Sequence, residues 1–298
     1  MFKNKSILRN KKQILDPYWF ILPAMLLLSI LMLIPIIQVF RYSLMDNVIT
    51  NKSPEFVGLS NYKEIIQDEV FKSAIGHTLF FTIFSVVFHL ILGMSFALLL
   101  NSKYLGSGTR AVLRVIFIFP WLFTPAIIAI VWRLILDPLG IMNFMLQQAG
   151  LIDGIVEWLS DESTALGTLT FINVWNGYPF YMVSLLAGLQ SVPQQQYEAA
   201  VIDGANSRKQ FYYITIPHLK PIILSLSILD FIWTMQVFPL VWMTTGGGPG
   251  HATEVMATYT YKLTFLQFEF SKASASAMII LLISMVISIF YVRSQKSR

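Results

Sequence analysis

EAAVIDGANSRKQFYYITIP, residues 198–217, is a polar, tightly punctuated stretch set between two long apolar runs at 163–190 and 221–244. Ahead of it Pro193 suits a helix's first turn, QQQYEAAVI continues that helix, and Gly204 can take the left-handed conformation that ends it. Asn206 or Ser207 can then cap a second short helix through RKQFYYI, which Pro217 is expected to break. The pattern predicts helix, sharp turn, helix. Ala199, Ala200 and Ala205 allow close approach of a partner, while Tyr197, Phe211, Tyr212 and Tyr213 offer anchors. On the residues alone, this elbow serves equally well for docking or as a solvated loop folded against its own bundle.

Its surroundings are those of a membrane protein. The chain has 298 residues, 55% hydrophobic and only 12% charged, too apolar for a soluble domain with a charged surface. Six apolar segments, at 17–40, 74–100, 115–136, 163–190, 221–244 and 273–292, are each near the ~20 residues a helix needs to cross a hydrocarbon core. Four carry no Asp, Glu, Lys or Arg, and the exceptions are Arg133 near one end of the third and Asp230 inside the fifth. Lys and Arg are retained on the cytoplasmic side. Fourteen of them fall in 1–16, 101–114, 191–220 and 293–298, against six in 41–73, 137–162 and 245–272, which hold 12 of the 16 acidic residues. The expected fold is an all-α polytopic membrane protein. It has a basic cytoplasmic tail at 1–16, six transmembrane helices over 17–292 with a cytoplasmic helix–turn–helix loop at 191–220, and a second cytoplasmic tail at 293–298.

The first run is too long for a cleaved secretory signal and lacks a small-residue cleavage site, so it is read as a retained span. The basic stretch KNKSILRNKK, flanking a span, fixes topology and touches anionic lipid rather than nucleic acid. Catalytic motifs are missing: there is no GxxxxGK[ST] loop, HExxH or GxSxG, and no cysteine. His77, His89, His218 and His251 are scattered without metal-ligand spacing, and a membrane histidine of this kind is read as a helix-packing hydrogen-bonder. No catalytic residue, metal site or bound cofactor is assigned.

Polar residues within the spans carry more information, because an unpaired polar group in hydrocarbon is costly and turns toward other helices or a water-filled cavity. NVWNGYPFY puts Asn173, Gly177 and Tyr181 on one helix face, with Asn176 and the Trp175 and Tyr178 rings beside it. Together with Asp230, Trp233, Thr234 and Gln236 of the fifth segment, this face makes a patch of hydrogen bonders and flat rings that suits a sugar. The same small and amide side chains also serve helix packing. The candidate path residues are Asn173, Asn176, Gly177, Asp230, Trp233 and Thr234. Pro120, Pro125, Pro179 and Pro239 permit kinks. Arg133 is expected to reach the outer surface, with Asp137 one turn away as a partner.

Glu198, Ala199, Ala200, Asp203, Gly204, Ala205, Phe211, Ile214 and Pro217 closely resemble the EAA loop of binding-protein-dependent ABC importer permeases, with Ile216 standing where that family usually has Leu. VGLSNYKEII, FPWLFTPAIIAIVW, NVWNGYPFYMVSLLAGL and TTGGGPG extend the resemblance over most of the chain, toward the maltose-type carbohydrate-uptake branch. The resemblance implies a permease subunit without covalent chemistry, paired with a second homologous permease. Two cytoplasmic ATPase subunits would hold ATP and Mg, and an extracytoplasmic binding protein would deliver a carbohydrate. It implies that Glu198, Ala199, Ala200, Asp203, Gly204 and Pro217 couple to the ATPase. A permease for a glycerol-phosphate-type or other small polar solute remains an alternative, as does an ion-coupled secondary transporter using Asp230.

The charge asymmetry is directly testable in this cysteine-free chain. An impermeant thiol reagent applied to intact cells is expected to label Ser160→Cys and to leave Ser207→Cys unlabelled; the reverse pattern overturns the orientation.

Overall fold

A computed structural model describes residues 11–296. The tail residues 1–10 and 297–298 lie outside that range. Among the described residues the chain is a series of helices whose one β-type contact is an isolated bridge, Met45 to Phe56. In order these are α1 (Lys11–Ser43), α2 (Ser60–Gln67), α3 (Glu69–Asn101), α4 (Ser107–Ile118), α5 (Pro125–Ile135), α6 (Ile141–Gln148), α7 (Ala165–Gln190) and α8 (Gln194–Ile202). They continue with α9 (Ser207–Gln210), α10 (Ile216–Met235), α11 (Pro239–Thr244), α12 (Met256–Phe265) and α13 (Phe270–Lys296).

Four helical stretches are long and apolar enough to cross a membrane: Tyr18–Ser43, Glu69–Asn101, Ser207–Met235 and Phe270–Ile289. The third expected span is not one rod. Ser107–Leu122 and Pro125–Ile135 meet at a 99° bend, so together they form a broken span or a re-entrant loop. Two prolines cause the break. Pro120 stands in a 3-10 turn at Phe119–Leu122, and the Thr124 hydroxyl then starts a fresh helix by accepting from the Ile127 amide, with Pro125 in the first turn, where its missing N–H is harmless.

The fourth expected span, α7, has the length at 26 residues, but NVWNGYP makes it less apolar than those four. Its solvent is protein. Leu169, Ile172, Tyr181, Met182 and Leu185 are buried along it, packed mainly against α3 and also against α10 and the bent pair. Gly93 of α3 permits the closest approach: a Cβ there would lie 2.4 Å from the Tyr181 Cβ and 2.9 Å from the Met182 amide nitrogen. At the other extreme, α1 leans on α13, and its apolar window is 0% buried by the rest of the chain.

The fifth expected span also departs from its expected limits. Pro217 does not break the helix that precedes it. A π-helical turn at Phe211–Thr215 joins α9 to α10, so the helix runs from Ser207 to Met235 and ends before the separate short α11. A proline ring collides with the carbonyl four residues back and offers it no donor. The wider π turn just ahead of Pro217 accommodates that defect without ending the helix.

Outside the spans, α2 and α12 pack with the start of α3 and with α13. Asp68 accepts from the Val70 amide at the start of α3 (2.8 Å) and from the Tyr259 hydroxyl of α12 (2.6 Å). Burial, with the Asp68 carboxylate beside it, pushes the Tyr259 phenol up from its ordinary value.

The α3–α7 contact predicts a contrast within one helix. Gly93→Ala overpacks a backbone contact and is expected to cost about 1–3 kcal/mol. Gly76→Ala, where nothing lies within 4 Å of the added Cβ, is expected to be neutral. Thermal unfolding of the two purified variants checks this; equal melting temperatures overturn it.

Candidate functional site

The polar run of α7 meets α3 and α10 around one imidazole. His89, on α3 and 2% exposed, faces Asp230 of α10 through Nδ1 (2.8 Å) and the Asn173 carbonyl of α7 through Nε2 (3.0 Å). The Thr234 hydroxyl donates to the other Asp230 oxygen (3.1 Å), and the Asn173 side-chain amide donates to the Ser85 hydroxyl of α3 (2.9 Å). The space expected beside Gly177 is filled. A Cβ there would lie 2.2 Å from His89 Nε2.

Four expected path residues thus gather around the imidazole, Asn173, Asp230 and Thr234 buried and Gly177 half-buried, and each has a packing or hydrogen-bonding task. Asn176 is half-buried, and its side-chain carbonyl oxygen has no donor. Trp233 is 58% exposed, the opposite of the cluster. Its ring centroid lies 5.9 Å from that of Phe180, which lies 6.0 Å from that of Trp121. These three rings form an aromatic strip crossing α10, α7 and the turn after α4. Sequence reasoning passed over Phe180, Trp121 and Ser85 because nothing local distinguishes them. It placed His89 as a packing residue, but not its partners, which are 84 and 141 positions away.

A second candidate surface is the elbow. Gly204 has φ +75°, the left-handed conformation, and the Ala205 amide returns to the Ala200 carbonyl (2.8 Å) to close α8. The Asn206 side chain accepts from the Lys209 amide (3.0 Å) and starts α9. The Tyr197 hydroxyl bonds that of Thr215 (2.8 Å), tying α8 to the π turn. No residue of α8 is buried. Glu198, Ala199, Asp203, Gly204 and Pro217 are exposed and Ala200 is half-buried, beside the bare apolar side chains Val201, Ile202, Tyr212 and Tyr213.

At the opposite end, Arg133 reaches the Met243 carbonyl (3.4 Å) rather than Asp137. Both line a cavity of about 360 Å³ with Glu157, Ser160 and Thr245. Asp161 accepts from the Ser163 hydroxyl and amide, which holds its carboxyl below the usual value. Glu254 is 0% exposed and pairs with Lys262 and His251. Among the described residues no group of three or more His, Cys, Asp or Glu could hold a metal ion.

Comparison with known proteins agrees with this architecture. Residues 89–297 match the family described as the binding-protein-dependent transport system inner membrane component. A probable ABC transporter permease protein of Brucella suis biovar 1 is 33% identical over 93% of this chain and 95% of its own. The trehalose/maltose transport system permease protein of Thermococcus litoralis is 38% identical over 79% of each chain. Among solved structures, a bacterial ABC transporter involved in the import of the acidic polysaccharide alginate shares the fold, with TM-score 0.82, 23% identity and 96% coverage of both chains.

The buried Glu254 yields a prediction. Lys262→Met leaves that carboxylate with one partner and is expected to destabilise the protein by on the order of 3 kcal/mol. Adding Glu254→Gln should recover most of the loss. Thermal unfolding of the single and double variants decides; no recovery in the double overturns the pairing.

Proposed function

The chain belongs to the binding-protein-dependent transport system inner membrane component family, the permeases of ABC importers, and from that premise we propose how this subunit is arranged and what it carries. It is a transport component rather than an enzyme. It crosses the membrane six times, with α7 and the bent α4–α5 pair completing the set, and both termini face the cytoplasm. The fourteen-to-six distribution of Lys and Arg supports that orientation. A second, homologous permease pairs with it, and two cytoplasmic ATPase subunits bind ATP and Mg. An extracytoplasmic binding protein delivers the solute to its outer face.

The elbow at 191–220 docks into an ATPase subunit through Glu198, Ala199, Ala200, Asp203 and Gly204, with Pro217 setting the exit into α10. The observation that carries this is that α8 has no buried residue and that Val201 and Ile202 on it, and Tyr212 and Tyr213 after it, are exposed: apolar side chains left on a surface mark a partner.

The solute is a carbohydrate. Its path runs along α7 and α10, where the Trp233, Phe180 and Trp121 strip offers ring faces to the apolar face of a sugar. Asn173, Gly177, Asp230 and Thr234 support that wall from behind. The named cargo of the Thermococcus litoralis relative agrees with this choice.

Reconstitution tests both parts. With its second permease, ATPases and binding protein in proteoliposomes, the protein is expected to take up labelled trehalose or maltose only with ATP. Gly204→Val, which strains a left-handed turn, and Glu198→Lys should reduce transport-coupled ATP hydrolysis at least tenfold, equivalent to about 1.4 kcal/mol. Uptake driven by an ion gradient without ATPase subunits, or full coupling in both variants, overturns the assignment.

A further inference from the structure

His89 does more than neutralise Asp230. Its Nε2 faces the Asn173 carbonyl, which can only accept, so Nε2 carries a proton. Charge pairing alone would use one ring nitrogen. Here the second is spent on the main chain of another helix, and the ring occupies the side-chain space left vacant at Gly177, one turn further along α7. The Tyr181 ring packs beside the imidazole, with centroids 5.9 Å apart.

The spacing is the same on both helices. Gly177 precedes Phe180 by three positions and Asp230 precedes Trp233 by three, just under one turn in each case. Each of the two rings thus stands about one turn from a residue that meets the imidazole. We propose that His89 is a positioning residue for the transport path: held between Asp230 of α10 and the Asn173 carbonyl of α7, and seated against Gly177, it fixes the relative placement of Phe180 and Trp233. The proposal rests on the reading of α7 and α10 as the wall of that path.

The test follows Trp233 itself. The permease–ATPase complex, labelled with 5-fluorotryptophan in lipid nanodiscs, gives a ¹⁹F resonance for Trp233 that is assigned by its loss in Trp233→Phe. The double variant His89→Leu/Asp230→Leu removes both polar partners and leaves no buried charge, so it is expected to assemble with native thermal stability. Its Trp233 resonance should nonetheless shift and broaden. Gly177→Ala, which drives a methyl into the imidazole, should shift the same resonance, while Gly76→Ala should not. A native Trp233 resonance in an assembled double variant overturns the proposal by reducing the pair to mutual neutralisation. If the double fails to assemble, Gly177→Ala decides: an unmoved resonance overturns the proposal and a shifted one supports it. Trehalose and maltose uptake by the same variants, reconstituted in proteoliposomes with the second permease and the binding protein, separates the two readings. A displaced Trp233 with unchanged uptake overturns the solute path and leaves the positioning role in place.

Discussion

Hydrocarbon offers no hydrogen bonds, and that constraint organises the molecule around α7. A helix carrying Asn173, Asn176, Gly177 and Pro179 cannot be given to lipid along its whole surface without leaving polar groups unanswered. The fold answers by sheathing it with α3 and α10: Ser85 and His89 bond to Asn173, and Asp230 in turn bonds to His89. The most apolar segment is placed in the opposite way: α1 is left almost bare because it has nothing to hide.

The two ends of the bundle are built on different principles. At the end away from the elbow the contacts are buried and polar: Glu254 pairs with Lys262 and His251, and Asp68 with Tyr259, 191 positions away. At the elbow the bonds are local, a capping Asn, a left-handed glycine and a hydroxyl pair, and the surface is bare. Local bonds hold the shape of the elbow while leaving its outer face exposed.

Much of this was legible in the chain because it depends on neighbours in sequence. Apolar runs located the long helices, Gly204 marked the turn, and Asn206 marked the restart of the helix. Where several residues act together, sequence reading fell short. Pro120 and Pro125 suggested a kink, but a 99° bend depends on the 3-10 turn and the Thr124 cap that lie between them. Pro217 read as a stop, and a π turn ahead of it carries the helix through. The polar face of α7 was visible as a pattern, yet which of its members meet solvent and which meet His89 is settled by α3 and α10, far along the chain. Gly177 shows the difficulty most clearly: the same missing side chain can mean room for a solute or a seat for a histidine.

The bare elbow also bears on how the cell keeps count of its subunits. The chain by itself displays Val201, Ile202, Tyr212 and Tyr213, on a segment with no buried residue in α8 to restrain local opening. Exposed apolar side chains on an openable segment are what chaperones and proteases bind and cut. With the elbow docked as proposed, assembly would cover that surface, and the same side chains would mark a subunit still without its partner.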